Sequence, residues 1–440
     1  MTRPLGWRTR RAGGQLLTLR ILHTSDWHLG SSLESASRDD EHRRFLDWLL
    51  VTLRDEAIDV LIVAGDVFHY AQPSAEAQRL YYRFLARIGG ETKVRQIVVI
   101  GGNHDSASRL DAPREVLDAL RIHVVGGLAT EQTSWERCLC PIESARPGGG
   151  VDAVVLAVPF VHEFRLGIRT TGRSPAEITA DFREAFTSLY RRLADLAEKR
   201  WPGAPLIATG HLTCVGAQAG EYGTEIHQVG TIGGLPGDIF DPRLEYIALG
   251  HIHRMFPVEG TRARYSGSPL AMNVVEARSP RFVIRIELDA SLPAGSRATT
   301  HKIPVPSWRE IVEIGGPTEE VLRRLRALKS PLELPPFVYV NLEVDEYLTD
   351  GAFRVNEAID THPLATRPRV VEIHQKVAGR EDVKDDGAER TSLKKMRPEE
   401  VFVRLHQAQF KTAPGDLLLT AFRTVLSQLD EPHVTEEGAE

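Results

Sequence analysis

Cysteine is scarce in the 440 residues: Cys138, Cys140 and Cys214 are the three present. They make no disulfide framework, which suits a reducing cytoplasm, and Cys138-x-Cys140 stands too isolated for a structural zinc site. No run of about 18 apolar residues occurs, so no membrane span is expected. The first 20 residues carry Arg3, Arg8, Arg10, Arg11 and Arg20 but no long apolar segment ahead of a small-residue cleavage site. A secretory signal is therefore not expected, and residues 1–18 read as a disordered extension rather than a basic arm. Excess positive charge is missing too. The formal net charge of −6 argues against a protein that holds DNA by its overall charge. It leaves room for acidic residues gathered around metal ions while single arginines meet phosphate. No internal repeat is present.

What is there begins with an ordinary balance, 42% apolar and 26% charged residues, in a chain long enough for more than one domain. Apolar strands are predicted at Leu19–His23, Asp59–Val63 and Gln96–Ile100, with helices over about 41–56 and 74–87 between them. This alternation predicts an α/β fold whose helices cover a sheet and whose ligands gather beyond the carboxyl ends of the strands. Further strands are expected at Asp152–Val158, Leu206–Thr209, Tyr246–Leu249 and Phe282–Leu288, with a long helix at about 180–199. A surface connection at Ser291–Arg297 then ends a first domain, 19–290. A smaller α+β unit, 300–376, has a helix near 319–328 and strands at Phe337–Val344 and Arg369–Ile373. A charged linker (377–396) and two helices within 397–430 complete the chain. In the second of these, Leu418, Phe422, Val425, Leu426 and Leu429 share one face, which either packs on the body of the chain or docks on a partner.

The polar residues cluster at strand ends. Thr24-Ser-Asp-Trp-His28, Gly65-Asp66, Gly102-Asn-His-Asp105, Gly210-His211 and Gly250-His-Ile-His253 each follow an apolar strand. Collected, Asp26, His28, Asp66, Asn103, His104, His211, His251 and His253 offer the imidazoles and carboxylates that manganese, iron or zinc accept. Eight groups exceed the needs of one tetrahedral ion, and two adjacent ions sharing a carboxylate suit the inventory better. Such a pair activates water and offsets charge in an in-line displacement at phosphorus.

In that order, the motifs resemble those of the calcineurin-like metallophosphoesterases, and more narrowly the SbcD family of bacterial nuclease subunits. The residues that carry the resemblance are His23-Thr-Ser-Asp-Trp-His-Leu-Gly30, Ala64-Gly-Asp-Val-Phe68, Gly102-Asn-His-Asp-Ser106, Ala248-Leu-Gly-His-Ile-His-Arg254, Tyr265-Ser-Gly-Ser-Pro269 and the late Arg397-Pro-Glu-Glu-Val-Phe402. The resemblance implies stacked mixed sheets flanked by helices, a capping domain and C-terminal helices. It places Asp26, His28, Asp66 and His253 on one Mn2+ and Asp66, Asn103, His211 and His251 on a second, with Mg2+ or another divalent ion as substitutes. His104 would be the catalytic imidazole. His69 would orient it, where many family members have Asp. Asp105 is left to shape its loop by hydrogen bonds.

The family's activity is cleavage of DNA as a double-strand exonuclease and a single-strand or hairpin endonuclease. Its partners are an SbcC-type coiled-coil ATPase and a second copy of the nuclease chain, in a cytoplasmic heterotetramer. Arg109, Arg254 and Arg264 lie near the motifs and are candidates for DNA phosphates. The alternative is a metallophosphatase acting on a phosphomonoester. Protein phosphatases of this fold carry Arg-Gly-Asn-His-Glu, and Gly101-Gly-Asn-His-Asp105 departs from it. A scaffold without catalysis is disfavoured because every expected ligand type is present.

Overall fold

The structure is a computed structural model that describes residues 18–146, 148–168, 174–214 and 234–377, with a few positions between 402 and 422. The expected extension (1–18) and charged linker (377–396) lie outside the described residues except for Thr18 and Val377. The chain divides into two compact units, Met1–Val344 with Leu348–Gln375, and Asp345–Tyr347 with Lys376–Glu440.

The first unit opens with β1 (Leu19–Thr24), a small hairpin of β2 (Ser32–Leu33) and β3 (Ala36–Ser37), and α1 (Asp39–Asp55). β4 (Val60–Ala64), α2 (Ala75–Glu91) and β5 (Gln96–Ile100) repeat the alternation, and α3 (Ala107–Asp111) and α4 (Arg114–Ala119) lead to β6 (Ile122–Val125). Next come β7 (Leu139–Glu143), β8 (Val151–Leu156), α5 (Pro175–Arg200), β9 (Leu206–His211), β10 (Leu244–Gly250), β11 (Phe256–Pro257) and β12 (Ala263–Tyr265). β13 (Arg281–Leu288) and β14 (Ala298–Val305) return to the first sheet.

Two six-stranded mixed sheets result, in the orders β14-β13-β1-β4-β5-β6 and β11-β12-β10-β9-β8-β7. β1, β4, β5 and β6 run parallel, as do β8, β9, β10 and β12, so their carboxyl ends share one edge in each sheet. Side chains alternate between two cores, as the period of a strand requires. Ile21, Val60, Ile62, Val98 and Ile100 join the core shared with the second sheet and α5, whereas Leu22, Leu61, Val63, Ile97 and Val99 join the core under α1 and α2. The first sheet is thus buried on both faces.

Local chemistry sets the helix starts. Ser74 caps α2, its hydroxyl accepting the Ala77 N–H at 3.1 Å. Ser174 and Glu177 form a capping box at α5 with Pro175 in its first turn.

A three-stranded sheet follows, β15 (Ile311–Pro317), β16 (Phe337–Val344) and β17 (Arg369–Val377, in the first unit as far as Gln375), with α6 (Thr318–Ala327) and α7 (Gly351–Asp360). Pairing with β13 carries the first sheet on to Val305, past the 290–300 interval where the sequence suggests a connection. A buried charge cluster ties this smaller sheet to α1. Glu41 accepts from Arg38 Nη2 at 2.7 Å and from Arg309 Nε at 3.0 Å, and Arg309 lies 4.1 Å over the Phe337 ring.

Of the two expected C-terminal helices, Phe402, Val403, His406, Leu418, Leu419 and Phe422 are described, all helical, and the rest of both lies outside the described residues. The Phe402 and Phe422 rings stack with centroids 4.2 Å apart, so the two segments meet through their apolar residues.

Candidate metal centre

All five strand-end clusters stand where β1, β4, β5, β9 and β10 end. Main-chain bonds join the loops after β1 and β4: the N–H groups of Asp26, His28 and Leu29 donate to the carbonyls of Gly65, Asp66 and Val67 at 3.0, 3.0 and 2.9 Å. The turns are tight. Among the described residues, seven non-glycine positions have positive φ, and four are Asp26 (52°), His28 (47°), Asp66 (49°) and His251 (93°). Each such conformation costs on the order of 1–3 kcal/mol and is held by the surrounding hydrogen bonds. Gly65 and Gly102 are needed for closeness. A Cβ at Gly65 would strike the His211 ring, and one at Gly102 would strike the Asp66 carboxylate.

Asp66 is the centre of the array. Its Oδ2 lies 3.6 Å from His28 Nε2 and 3.4 Å from His211 Nε2, and its Oδ1 accepts the His104 N–H at 2.9 Å. On one side, His28 Nε2 and His253 Nε2 face each other at 3.1 Å, and the ligand atoms of Asp26, His28 and His253 lie within 4.8 Å of one another. On the other, His211 Nε2 and His251 Nδ1 converge on Asn103 Oδ1 at 3.0 and 2.9 Å. Asp26, Asp66 and His211 form a second compact group. Asp26, His28, Asp66 and His211 are buried, whereas Asn103, His104, His251 and His253 are half-buried. The array therefore has a closed floor and an open rim.

These donors suit divalent metal ions. Imidazole nitrogens gathered over a buried carboxylate are good ligands, and the opposite nitrogens of two of them are already engaged. His211 Nδ1 meets the Ala64 carbonyl at 2.9 Å and His253 Nδ1 meets Glu276 at 3.1 Å, which leaves Nε2 of each for an ion. Electrostatics agree. Burial pushes the Asp66 carboxyl up, but His211, with His28 and His104, outweighs it and holds the group well below the usual carboxylate range. Burial lowers His211, and the Asp66 carboxylate overcomes this to bring it up to about 9. The proton on His211 thus offsets a buried negative charge that a cation would offset in its place. Burial raises the Asp26 carboxyl, a cost that a bound cation would also relieve.

His104 Nδ1 meets the main-chain carbonyl of His69 at 2.9 Å, and the two rings stack with centroids 5.3 Å apart. Asp105 takes the N–H groups of Val67, Phe68 and Gly102 at 3.0, 2.9 and 2.9 Å, the loop-shaping part expected of it. Burial, with the nearby Asp66 charge, pushes its carboxyl up to about 6. Arg109 on α3 and Arg254 beside His253 are exposed, while Arg264 is half-buried on β12 between Ala263 and Tyr265.

Sequence reasoning missed Glu276. Besides His253 Nδ1, it accepts the Met272 N–H at 3.0 Å and pairs with Arg281 at 3.2 Å. It opens a short 3-10 helix, Glu276–Arg278, 23 residues beyond its histidine, and no spacing announces it.

Comparison with known proteins agrees with the geometry. Residues 19–255, more than half of the chain, match the family model described as calcineurin-like phosphoesterase. Residues 307–410 match the SbcD_C model, described as type 5 capsule protein repressor C-terminal domain. The chain is 37% identical over 358 residues to the SbcD component of the SbcCD nuclease of Rhodobacter capsulatus, covering 79% of this chain and 85% of that one. It is 31% identical to the corresponding SbcCD nuclease component of Escherichia coli K12, over 94% of this chain and 100% of that one. To its Bacillus subtilis counterpart it is 32% identical, over 67% and 72%. With the ligand types at the strand ends, the two family models and these relatives, the chain belongs to the SbcD family of calcineurin-like phosphoesterases.

Proposed function

We propose that this protein is a metal-dependent DNA nuclease that hydrolyses phosphodiesters at a two-metal centre. The observation that carries the reading is the place of Asp66, buried between His28 and His211 with one further imidazole on either side, His253 and His251. Asp26, His28, Asp66 and His253 would hold one ion, and Asp66, Asn103, His211 and His251 the other, with Mn2+ the ion intended and Mg2+ or another divalent ion a substitute. Two such ions would supply Lewis acidity toward a phosphate oxygen and would lower the pKa of water. The chain's own part is orientation and proton transfer. Asp66 fixes the main chain at His104, the His69 carbonyl fixes its ring, and His104 gives a proton to the leaving oxygen. The half-buried rim formed by His104, His251 and His253 admits a phosphate, and Arg109, Arg254 and Arg264 meet neighbouring phosphates along the strand.

The relatives are named as SbcCD nuclease subunits, which supports nuclease activity; we extend this to DNA as substrate, with double-strand exonuclease and single-strand or hairpin endonuclease activity in repair and recombination. In this reading the partner is an SbcC-type coiled-coil ATPase, with two copies of each component in the assembly and action in the cytoplasm. No helix of the described residues is long and apolar enough to cross a membrane. The test sets the purified chain with Mn2+ against linear duplex DNA and against a small phosphomonoester. The nuclease reading expects shortened DNA, abolished by chelator. Turnover of the ester with the DNA intact would replace it with the phosphatase reading.

A further inference from the structure

A ligating imidazole binds its ion with one nitrogen and is aimed by what the other nitrogen meets. For His211 that partner is a main-chain carbonyl and for His253 a carboxylate. His28 turns Nε2 toward His253 and Asp66. Its Nδ1 lies 3.3 Å from Nδ1 of His69 and, among the described residues, has no other partner within hydrogen-bond distance. The family resemblance gives His69 another task, orienting His104. That task is performed by the main chain, since His104 Nδ1 meets the carbonyl of residue 69 at 2.9 Å. Any amino acid at 69 supplies this carbonyl, whereas the side chain stacks its ring on that of His104.

We infer that the His69 imidazole is the positioning residue for His28: it accepts the His28 Nδ1–H and so reserves His28 Nε2 for the metal. The proton arrangement is consistent throughout. His28 carries hydrogen on Nδ1 and a lone pair on Nε2, and His69 carries a lone pair on Nδ1 and hydrogen on Nε2. The edge-on packing of the rings, 70° apart with centroids at 5.3 Å, fits an N–H of one aimed at the ring nitrogen of the other. An imidazole here does for His28 what Ala64 does for His211 and Glu276 for His253. The inference rests on the reading of His28 as a metal ligand.

The experiment is a Mn2+ titration of the full chain after removal of metal, with free Mn2+ followed by electron paramagnetic resonance. His69→Ala removes the acceptor, and His69→Asn places an amide oxygen where Nδ1 stood. The expected result is two ions per wild-type chain and, in His69→Ala, one dissociation constant raised about tenfold or more with the other held within about twofold. His69→Asn is expected to restore most of that loss. Unchanged constants in His69→Ala, or an Asn variant as weak as the Ala variant, overturn the assignment and leave the two-metal reading standing. A wild-type chain that binds no Mn2+ overturns both.

Discussion

Glu276 Oε1 lies 3.1 Å from Nδ1 of His253, so the imidazole presents its other nitrogen to His28 and Asp26. The carboxylate is itself held by Arg281 and the Met272 N–H. Replacing Glu276 by Ala should weaken one Mn2+ site roughly 10–100-fold, and Glu276→Gln, which keeps an acceptor, should weaken it less. Isothermal titration with Mn2+ separates the two variants. Equal affinity in Glu276→Ala and the wild type would remove Glu276 from the centre.

His104 is expected to act in proton transfer without holding metal: its main-chain N–H bonds Asp66 and its Nδ1 meets the His69 carbonyl. His104→Ala should retain both ions while cleavage falls about 10²–10⁴-fold, the usual worth of a positioned acid. Metal analysis of the dialysed variant beside a duplex-cleavage assay checks both halves. Full activity would contradict the role.

The Arg38–Glu41–Arg309 cluster is buried, and such triads contribute little stability when intact yet cost roughly 3–5 kcal/mol when one partner is removed. Glu41→Gln should therefore lower the urea midpoint markedly. Replacing all three by apolar residues of similar volume should leave the midpoint near that of the wild type. A Glu41→Gln chain as stable as the wild type would show that these charges are solvated in solution.

Acid should unfold the metal-free chain through His23 and His42. Burial lowers each from 6.5 to about 3, so both are neutral in the fold. Because the folded value lies below the unfolded one, their contribution is complete above about pH 6.5 and is lost as pH falls from there toward 3. Within that window each costs about 1.4 kcal/mol per pH unit. Urea titrations from about pH 4.5 to about pH 7.5 in chelator should show this slope, and His42→Phe should reduce it by one proton. An unchanged slope in that variant would place the lost proton elsewhere.

The first sheet and its edge were legible because β4 and β5 are near-continuous apolar runs, the sign of strands buried on both faces. Their ends were legible because glycine, Asp, Asn and His follow each run. Other elements gave no such sign. β7 carries Pro141, which reads as a break and is tolerated at the edge of the second sheet. β15 ends in Gly315-Gly316-Pro317, which reads as a turn, and α7 begins on Gly351. At the centre, residue types and strand ends were readable, but partners set by three-dimensional packing were not. Glu276 and the choice between main chain and side chain at His69 belong to that second group.

The central claim is that Asp66 is shared by two ions. Anomalous diffraction from crystals soaked in Mn2+ tests it most directly. The account predicts two peaks flanking Asp66, one beside His28 and His253 and the other beside Asn103, His211 and His251. A single peak, or peaks away from Asp66, would contradict it.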